Sequence, residues 1–411
     1  MTETDAAPGS TAEIVQKATE FQWDGHGPEP GIAIAASGGG FRAMLFHAGA
    51  FQRLNELGLL SQAKRISSVS GGSIAAGYLA AIWQALGHPD RDGVFANFRE
   101  QYVDPIVAFS REKVDVVDAL TGFLPWTSAA EQVAATYDQH LFQGKTLQQI
   151  PDLPRFVFCS TNLQSGVLWR FSKQYAGDYL VGRLDAPAIA LSRAVAASSA
   201  FPPVLSPMLL EVPPAAFADW PSGPGPLAPD VLRSCRERVV LTDGGVYDNH
   251  GLEPIVKRYY TIFASDGGAP FGRLAGVQTD WIGQLRRVLD VTDNQVRALR
   301  RRDLLARLTA GNKVGSEAAL QAAKSEGRLG AYWGIDTDPG KLTPLGALPC
   351  NQAVTHRLAQ IATRLSDLGE QTSKQLVNWG YAVCDRSIRA NYKGMLVNTE
   401  PVWPFKDAPL S

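Results

Sequence analysis

The 411-residue sequence predicts an α/β fold, a three-layer α/β/α sandwich around a mainly parallel sheet, with extra helices toward the C-terminus. Two observations lead to this prediction. Short apolar runs suited to buried strands alternate with stretches whose apolar residues recur at helical spacing. Such alternation is typical of parallel strands covered by helices on both faces. The predicted strands cover residues 31–37, 65–70, 155–161, 166–172, 238–242 and 259–265, with a further strand at 330–336 that is expected to return to the sheet.

Helices are predicted directly after the first two strands. The first covers residues 41–60, where apolar residues recur every three positions until Gly58, and the second covers residues 72–87. From about residue 280 onward the pattern is mainly helical.

Three regions divide the chain. We expect a polar N-terminal arm over residues 1–28, a catalytic core over 29–275, and a mainly helical extension over 276–411 that packs on the core. Within the core, residues 202–229 hold nine of the 26 prolines. Such a stretch suits neither a regular helix nor a central strand, so it is predicted to be a long irregular excursion. It is interpreted as either a lid or a plain surface insertion.

Composition and charge exclude several classes of protein. The net charge of −1 gives no sign of nucleic-acid binding. The four cysteines lie far apart and form no CxxC pair, which argues against a zinc site or a disulfide scaffold. The N-terminus has no apolar signal region, and no run of 18 apolar residues occurs. A cytoplasmic protein is expected.

A triple glycine, Gly38 to Gly40, separates the first strand from the first helix. Glycines at this place let the backbone approach a ligand and direct amide groups at negative charge. The ligand is either a dinucleotide pyrophosphate or the oxyanion of an ester reaction. A dinucleotide site needs an acidic residue at the end of the second strand, but Val69 and Ser70 end it. The ester interpretation is therefore favoured.

The second strand ends in Ser68-Val69-Ser70-Gly71-Gly72, which is close to the G-x-S-x-G nucleophile elbow. Ser70 occupies the position of the nucleophile, at the positive end of the second helix. Ser68 replaces the first glycine and is small enough for the turn. Ser73 is expected to cap the helix.

The base that activates a serine is ordinarily a histidine, but the six histidines stand in no recognisable motif, and only His250 is kept as an alternative. An aspartate at the end of a buried strand is the better candidate. It acts as a base only where burial raises its pKa and a hydrogen bond to the serine is in place. Asp243 in "LTDGG" and Asp266 in "ASDGG" both fit, and the pattern alone does not separate them.

The motifs "SGGGFRAM", "SVSGGS", "ASSAFPPVLSP" and "DGGVYDNHGLEP" resemble those of the patatin-like phospholipases, in the same order. The resemblance implies a patatin-like fold and a Ser–Asp dyad that cleaves lipid acyl esters without histidine, metal or cofactor. Ser70 then matches the nucleophile and Asp243 the base, since Asn249 matches the family's trailing asparagine. The oxyanion hole is expected at Gly38, Gly39, Gly40 and Gly71. Arg42 matches an arginine that holds substrate phosphate in the cytosolic phospholipases.

The resemblance implies a lipid or phospholipid partner, with peripheral membrane contact through the catalytic part of the chain. Seven arginines between residues 286 and 307 mark one helix for this contact with anionic lipid, the alternative being a solvated face balanced by Asp290, Asp293 and Asp303. Residues 120–128 are interpreted as core or as an apolar rim. Two other functions stay open: a carboxylesterase for small soluble esters, and a low-turnover binding or scaffold protein.

Overall fold

The computed structural model describes residues 27–112, 114, 127–220 and 227–411. The predicted N-terminal arm, apart from residues 27 and 28, lies outside the described residues. So does most of the apolar segment at 120–128.

Eleven strands form one mixed sheet in the described residues. All seven strands predicted from apolar runs are among them. The strands are β1 (Glu29–Ala36), β2 (Ala63–Val69), β3 (Arg155–Asn162), β4 (Leu168–Phe171), β5 (Tyr175–Asp178), β6 (Gly182–Asp185), β7 (Met208–Glu211), β8 (Phe217–Ala218), β9 (Arg238–Asp243), β10 (Tyr259–Asp266) and β11 (Leu329–Gly334).

Eleven α-helices surround the sheet in the same part of the chain. They are α1 (Gly40–Glu56), α2 (Gly71–Ile82), α3 (Asp104–Phe109), α4 (Thr127–Tyr137), α5 (Leu191–Ser198), α6 (Pro229–Glu237), α7 (Gly245–Asp248), α8 (Trp281–Val314), α9 (Glu317–Ala322), α10 (Gln352–Ala359) and α11 (Glu370–Asn391). No helix in the described ranges is long and apolar enough to cross a membrane.

The sheet is parallel on one side and antiparallel on the other. Strands β11, β10, β1, β2 and β3 lie side by side and all run parallel. From β3 onward, β4, β5, β6 and β8 continue the sheet in antiparallel pairs. Only three residues connect β4 to β5 and β5 to β6, whereas a parallel crossover needs a dozen or more. The mainly parallel sheet of the prediction is therefore a mixed one.

The proline-rich excursion at 202–229 is more regular than predicted. Its described part contains β7, which pairs antiparallel with β9, and the two-residue strand β8 at the end of the sheet. Proline lacks the amide donor that a strand ladder requires, but none of the four residues of β7 is a proline. The short strand therefore fits between the prolines.

Two apolar cores lie on opposite faces of the sheet, as the three-layer prediction requires. Alternate side chains of β1 divide between them: Ile34 and Ala36 belong to the core that contains α1 and α2, while Ala33 and Ala35 join Leu304 and Leu308 of α8. This division follows from the two-residue period of a strand.

The C-terminal helix completes one of these layers. α11 crosses α1 so closely that a Cβ on Gly49 would overlap the carbonyl of Val377, and one on Gly380 would overlap that of Phe46. All of α1 from Gly40 to Asn55 is buried. The helix that begins at the triple glycine is thus held rigidly from both sides.

Candidate active site

Ser70 lies at the turn between β2 and α2, as the sequence predicts. Its backbone angles are φ 52° and ψ −122°, a strained conformation that non-glycine residues rarely adopt. The turn requires glycine on its C-terminal side, because a Cβ on Gly71 would overlap the carbonyl of Gly40 and one on Gly72 that of Ala36. The strained serine is therefore fixed against the triple-glycine loop.

A network of serine hydroxyls supports the turn from below. The Ser70 amide donates to the Ser198 hydroxyl at 3.1 Å, and that hydroxyl donates to the Cys159 carbonyl at 2.6 Å. Ser73 lies 2.8 Å from Ser198 and 2.9 Å from Ser68. The expectation that Ser73 caps α2 is wrong, because its hydroxyl connects the helix to β2 and α5. Ser198 lies in the "ASSAFPP" motif, but the sequence alone gave it no role.

Asp243 is the last residue of β9, and its carboxyl group lies beside the Ser70 side chain, which lowers the pKa of that carboxyl. The Gly245 amide donates to its Oδ1 atom at 2.7 Å. Burial raises the pKa of Asp243 to about 6, although the Gly245 amide and the Ser70 side chain oppose the rise, and the nearby charge of Asp293 adds to it. A carboxylate with this pKa accepts a proton far more readily than an exposed one.

The register of the sheet brings these two residues together. β2 and β9 pair end to end with the same side of β3, with Cys159 opposite Val69 of β2 and the next residue, Ser160, opposite Asp243 of β9. A Cβ on Gly244 would overlap the Cys159 carbonyl, so the glycine after Asp243 lets the end of β9 approach β3. Residues 173 positions apart in sequence thus meet at one edge of the sheet.

Asn249 holds the triple-glycine loop beside the turn that follows Asp243. Its carbonyl accepts from the Gly38 amide at 3.0 Å, and a Cβ on Gly38 would overlap its side-chain oxygen. A Cβ on Gly245 would lie 2.7 Å from the same oxygen. Gly38 therefore has no amide left for a ligand, which differs from its predicted place in the oxyanion hole.

The other three glycines of that prediction keep their amides available. Within the described residues, the amides of Gly39, Gly40 and Gly71 have no hydrogen-bond partner. Gly40 and Gly71 are the first residues of α1 and α2, where the helix dipoles place partial positive charge. Their contact next to Ser70 makes a site that suits an anion.

Arg42 does not face this site. Its guanidinium donates to the carbonyls of Gly267 and Ile361 and to the Thr363 hydroxyl, and its side chain is fully buried. Burial lowers its pKa to about 10. The same C-terminal segment accepts from the Phe41 amide through the Arg364 carbonyl at 2.9 Å. The guanidinium fastens this segment to the glycine loop, and its contact with substrate phosphate stays a prediction.

Asp266, the alternative base, lies in a different environment. Tyr332 donates to its carboxylate at 2.8 Å and Ser37 at 3.1 Å, and His250 lies 3.1 Å away. Burial alone would raise its pKa, but the charges of His250 and Arg297 hold the pKa well below the ordinary value. Asp266 is thus a stabilised anion that bonds to His250 rather than to Ser70.

The buried histidine His47 also has no contact with Ser70. Its ring lies 2.7 Å from the Ser265 hydroxyl and 2.9 Å from the Ser37 carbonyl. Burial lowers its pKa to about 4, so the ring is neutral at physiological pH. Of the two histidines nearest the site, one bonds to Asp266 and the other to β10 and the glycine loop.

Two comparisons relate the chain to known proteins. The model of the family described as patatin-like phospholipase matches residues 34–256, more than half of the chain. The structure of human GIVD cytosolic phospholipase A2 is similar, with a TM-score of 0.48 and 15% identity, over 90% of this chain and 60% of that one. VipD from Legionella pneumophila gives a TM-score of 0.29 and 12% identity, over 85% and 66% of the two chains. No curated protein sequence matches the chain.

Proposed function

This chain belongs to the patatin-like phospholipase family, and we propose that it is a lipid acyl hydrolase that cleaves carboxylic esters of phospholipids through Ser70 and Asp243. The observation that carries the proposal is that the strained Ser70 meets the buried carboxylate of Asp243, whose pKa is raised to about 6. The chain spans about three-fifths of the human phospholipase structure it matches, so the activity of the whole protein is part of the proposal.

In the first step Asp243 takes the proton of the Ser70 hydroxyl while the oxygen attacks the ester carbonyl. The carbonyl oxygen becomes an oxyanion, which the free amides of Gly39, Gly40 and Gly71 are suited to hold. When the intermediate collapses, the alcohol leaves with the proton that Asp243 carries, and the acyl group stays on Ser70.

In the second step Asp243 takes a proton from water, and the resulting hydroxide attacks the acyl-enzyme. The same oxyanion site holds the second intermediate, and Ser70 leaves with the proton from Asp243. The products are a free fatty acid and the starting enzyme. No step uses a metal or a cofactor.

The absence of histidine from the dyad makes particular demands on Asp243. An ordinary aspartate with a pKa near 4 is a weak base for a serine hydroxyl. Burial at the end of β9 makes it a stronger base by raising its pKa to about 6. The fixed positions of Ser70 and Asp243 at the ends of β2 and β9 then reduce the need to orient the two groups during the reaction.

Hydrolysis of a soluble nitrophenyl ester and of phospholipid vesicles tests the proposal. Ser70→Ala is expected to lose both activities by a factor of about 10³ or more, while Ser67→Ala, which changes the buried serine three residues earlier, keeps them. Full activity of Ser70→Ala would exclude the mechanism. If the wild-type protein hydrolyses the soluble ester but not the vesicles, it is a small-ester carboxylesterase. If it hydrolyses neither substrate, it is a binding protein.

A further inference from the structure

The turn Asp266-Gly267-Gly268 ends β10 and packs directly against the triple-glycine loop. Its sequence repeats that of the turn at Asp243, but the proposed mechanism gives it no part. A Cβ on Gly39 would lie 2.8 Å from the Gly267 carbonyl, and a Cβ on Gly267 would lie 2.7 Å from Ala43 in the first turn of α1. The turn therefore fills the space between the glycine loop and the helix that begins from it.

Ser37, the residue between β1 and the triple glycine, joins this turn to the loop. Its hydroxyl accepts a hydrogen bond from the Gly267 amide at 2.8 Å and donates one to the Asp266 carboxylate at 3.1 Å. The side chain is fully buried, so both bonds are shielded from solvent. The Ser37 carbonyl accepts from the Gly72 amide at 3.1 Å. Ser37 thus connects the turn after β10, the glycine loop and the turn that carries Ser70.

The carboxylate of Asp266 acts on both sides of the glycine loop. One of its oxygens accepts from Ser37, which precedes the first glycine. The other oxygen lies 3.1 Å from the ring of His250. His250 directly follows Asn249, whose carbonyl accepts from the Gly38 amide at 3.0 Å. A single buried group therefore bears on both of the segments that hold the loop.

The glycine loop needs such support because glycine fixes its own conformation poorly. Gly39 and Gly40 have φ angles of 144° and 61°, which glycine adopts easily and also leaves easily. The amides of these two residues have no partner in the described part of the chain, and they are the proposed oxyanion donors. A misplacement of about 1 Å at a reacting group costs on the order of 100-fold in rate. The loop must therefore be held by its neighbours.

We propose that Ser37 and Asp266 are positioning residues for ester hydrolysis, which hold Gly39 and Gly40 where their amides receive the oxyanion. The inference rests on the proposed function, because that function assigns the oxyanion to these amides. Asp266 acts through Ser37 and exchanges no proton with the substrate. The second aspartate-glycine-glycine turn thus supports the reaction in which the first one takes part.

Kinetics of Ser37→Ala on a soluble nitrophenyl ester test the inference. The variant removes both bonds of the hydroxyl, and we expect kcat to fall about 10- to 100-fold with little change in KM. Ser172→Ala is the matched control and should keep the wild-type kcat. The Ser172 hydroxyl is equally buried, donates to the Tyr175 carbonyl at 2.9 Å and accepts from the Tyr175 amide at 3.2 Å, between β4 and β5. Rates are compared at a temperature where melting curves show every variant folded.

The corresponding thionoester distinguishes positioning of the oxyanion donors from a general effect on structure. Sulfur is a weak hydrogen-bond acceptor, so an intact oxyanion hole favours the oxygen ester. In Ser37→Ala the ratio of kcat for the ester to kcat for the thionoester should be at least about fivefold below that of the wild type. The midpoint of the pH profile should stay near 6, because Asp243 is unchanged. An equal loss of kcat for both esters would make Ser37 merely structural and overturn the inference.

Two substitutions of Asp266 test the second residue and serve also if Ser37→Ala does not fold. Asp266→Ala leaves the Ser37 hydroxyl with the Gly38 carbonyl at 3.3 Å as its acceptor, which ties the loop to nothing outside it. This variant should show the same loss of kcat and the same lowered ratio as Ser37→Ala. Asp266→Asn keeps an oxygen that accepts from Ser37 and should stay within about threefold of the wild-type kcat. Wild-type kcat in Asp266→Ala, or an equal loss in Asp266→Asn, would overturn the inference.

Ser70→Ala in the same assay separates this inference from the proposed function. If Ser70→Ala hydrolyses the ester like the wild type, the proposed function fails. If Ser70→Ala is inactive while Ser37→Ala and Asp266→Ala are as fast as the wild type, only the positioning role fails.

Discussion

Asp243 and Asp266 both end buried strands and both precede two glycines, yet the pKa values of their carboxyl groups are shifted in opposite directions. Burial raises the pKa of Asp243 to about 6, whereas the charges of His250 and Arg297 hold the pKa of Asp266 well below its ordinary value. The first carboxylate lies beside the Ser70 side chain, and the second lies among His250, Arg297 and two hydroxyl donors. The same local sequence therefore produces a base in one place and a stabilised anion in the other.

The rate of ester hydrolysis should follow the ionisation of Asp243. Because only the carboxylate accepts a proton, kcat/KM for a soluble ester should fall tenfold per pH unit below about pH 5 and level off above about pH 7. The midpoint is expected near 6, where burial places the pKa of Asp243. A midpoint near 4 would mean that the free enzyme's essential base is an ordinary exposed carboxylate.

The raised pKa of Asp243 also predicts an effect on stability. The folded protein binds this proton more tightly than the unfolded chain, so the stability that the protonated carboxyl provides is full below about pH 4 and is lost as pH rises through 6. Asp243→Asn stays neutral and avoids the loss. Its free energy of unfolding should exceed that of the wild type by about 1–3 kcal/mol at pH 8, with little difference at pH 4. Denaturant titrations at the two pH values measure this, and a difference that does not grow with pH would contradict it.

Sequence patterns predict the strands around the site better than they predict the pKa values of its carboxyl groups. Seven strands follow from buried apolar runs, and the position of Ser70 follows from the glycines after it, since both signals are local. Strands β5 and β6 are not predicted from the sequence, because "YAGD" and "GRLD" are neither apolar nor alternating. The difference between Asp243 and Asp266 depends on partners elsewhere in the fold, which no local pattern contains.

The contact between Gly71 and Gly40 should be indispensable. A Cβ at Gly71 would overlap the Gly40 carbonyl, so Gly71→Ala must displace the Ser70 turn or the glycine loop. A displacement of about 1 Å at a reacting group costs on the order of 100-fold in rate, and we expect that loss in kcat for a soluble ester. Gly272→Ala is the control, since nothing lies within 4 Å of a Cβ there. Equal rates for the two variants would show that the close approach does not matter.

Arg42 should affect stability more than substrate binding. Arg42→Ala removes the bonds to Gly267, Ile361 and Thr363, and we expect the free energy of unfolding to fall by about 3 kcal/mol. The exposed Arg302 serves as a control, and Arg302→Ala should change stability little. The opposite result, an unchanged melting temperature with a raised KM for phospholipid alone, would assign Arg42 to the substrate phosphate instead.

The contacts of Arg42 could not be predicted from sequence. Its partners at positions 361 and 363 lie more than 300 residues away, in a segment without a recognisable motif. The packing of α11 on α1 depends on Gly49 and Gly380. It cannot be predicted from local patterns either, because the two helices are also far apart in sequence. Local patterns locate Ser70 and its glycines, but the C-terminal residues that cover them appear only in the folded chain.

Covalent labelling with a fluorophosphonate, mapped by mass spectrometry, tests the dyad most directly. We expect one adduct, on Ser70, with labelling slowed by about 10² or more in Asp243→Asn. Asp266→Asn, which alters the contact with His250 but leaves the serine its base, should label at nearly the wild-type rate per folded molecule. An adduct on another residue, or labelling lost in Asp266→Asn and kept in Asp243→Asn, would contradict the assignment of Ser70 and Asp243.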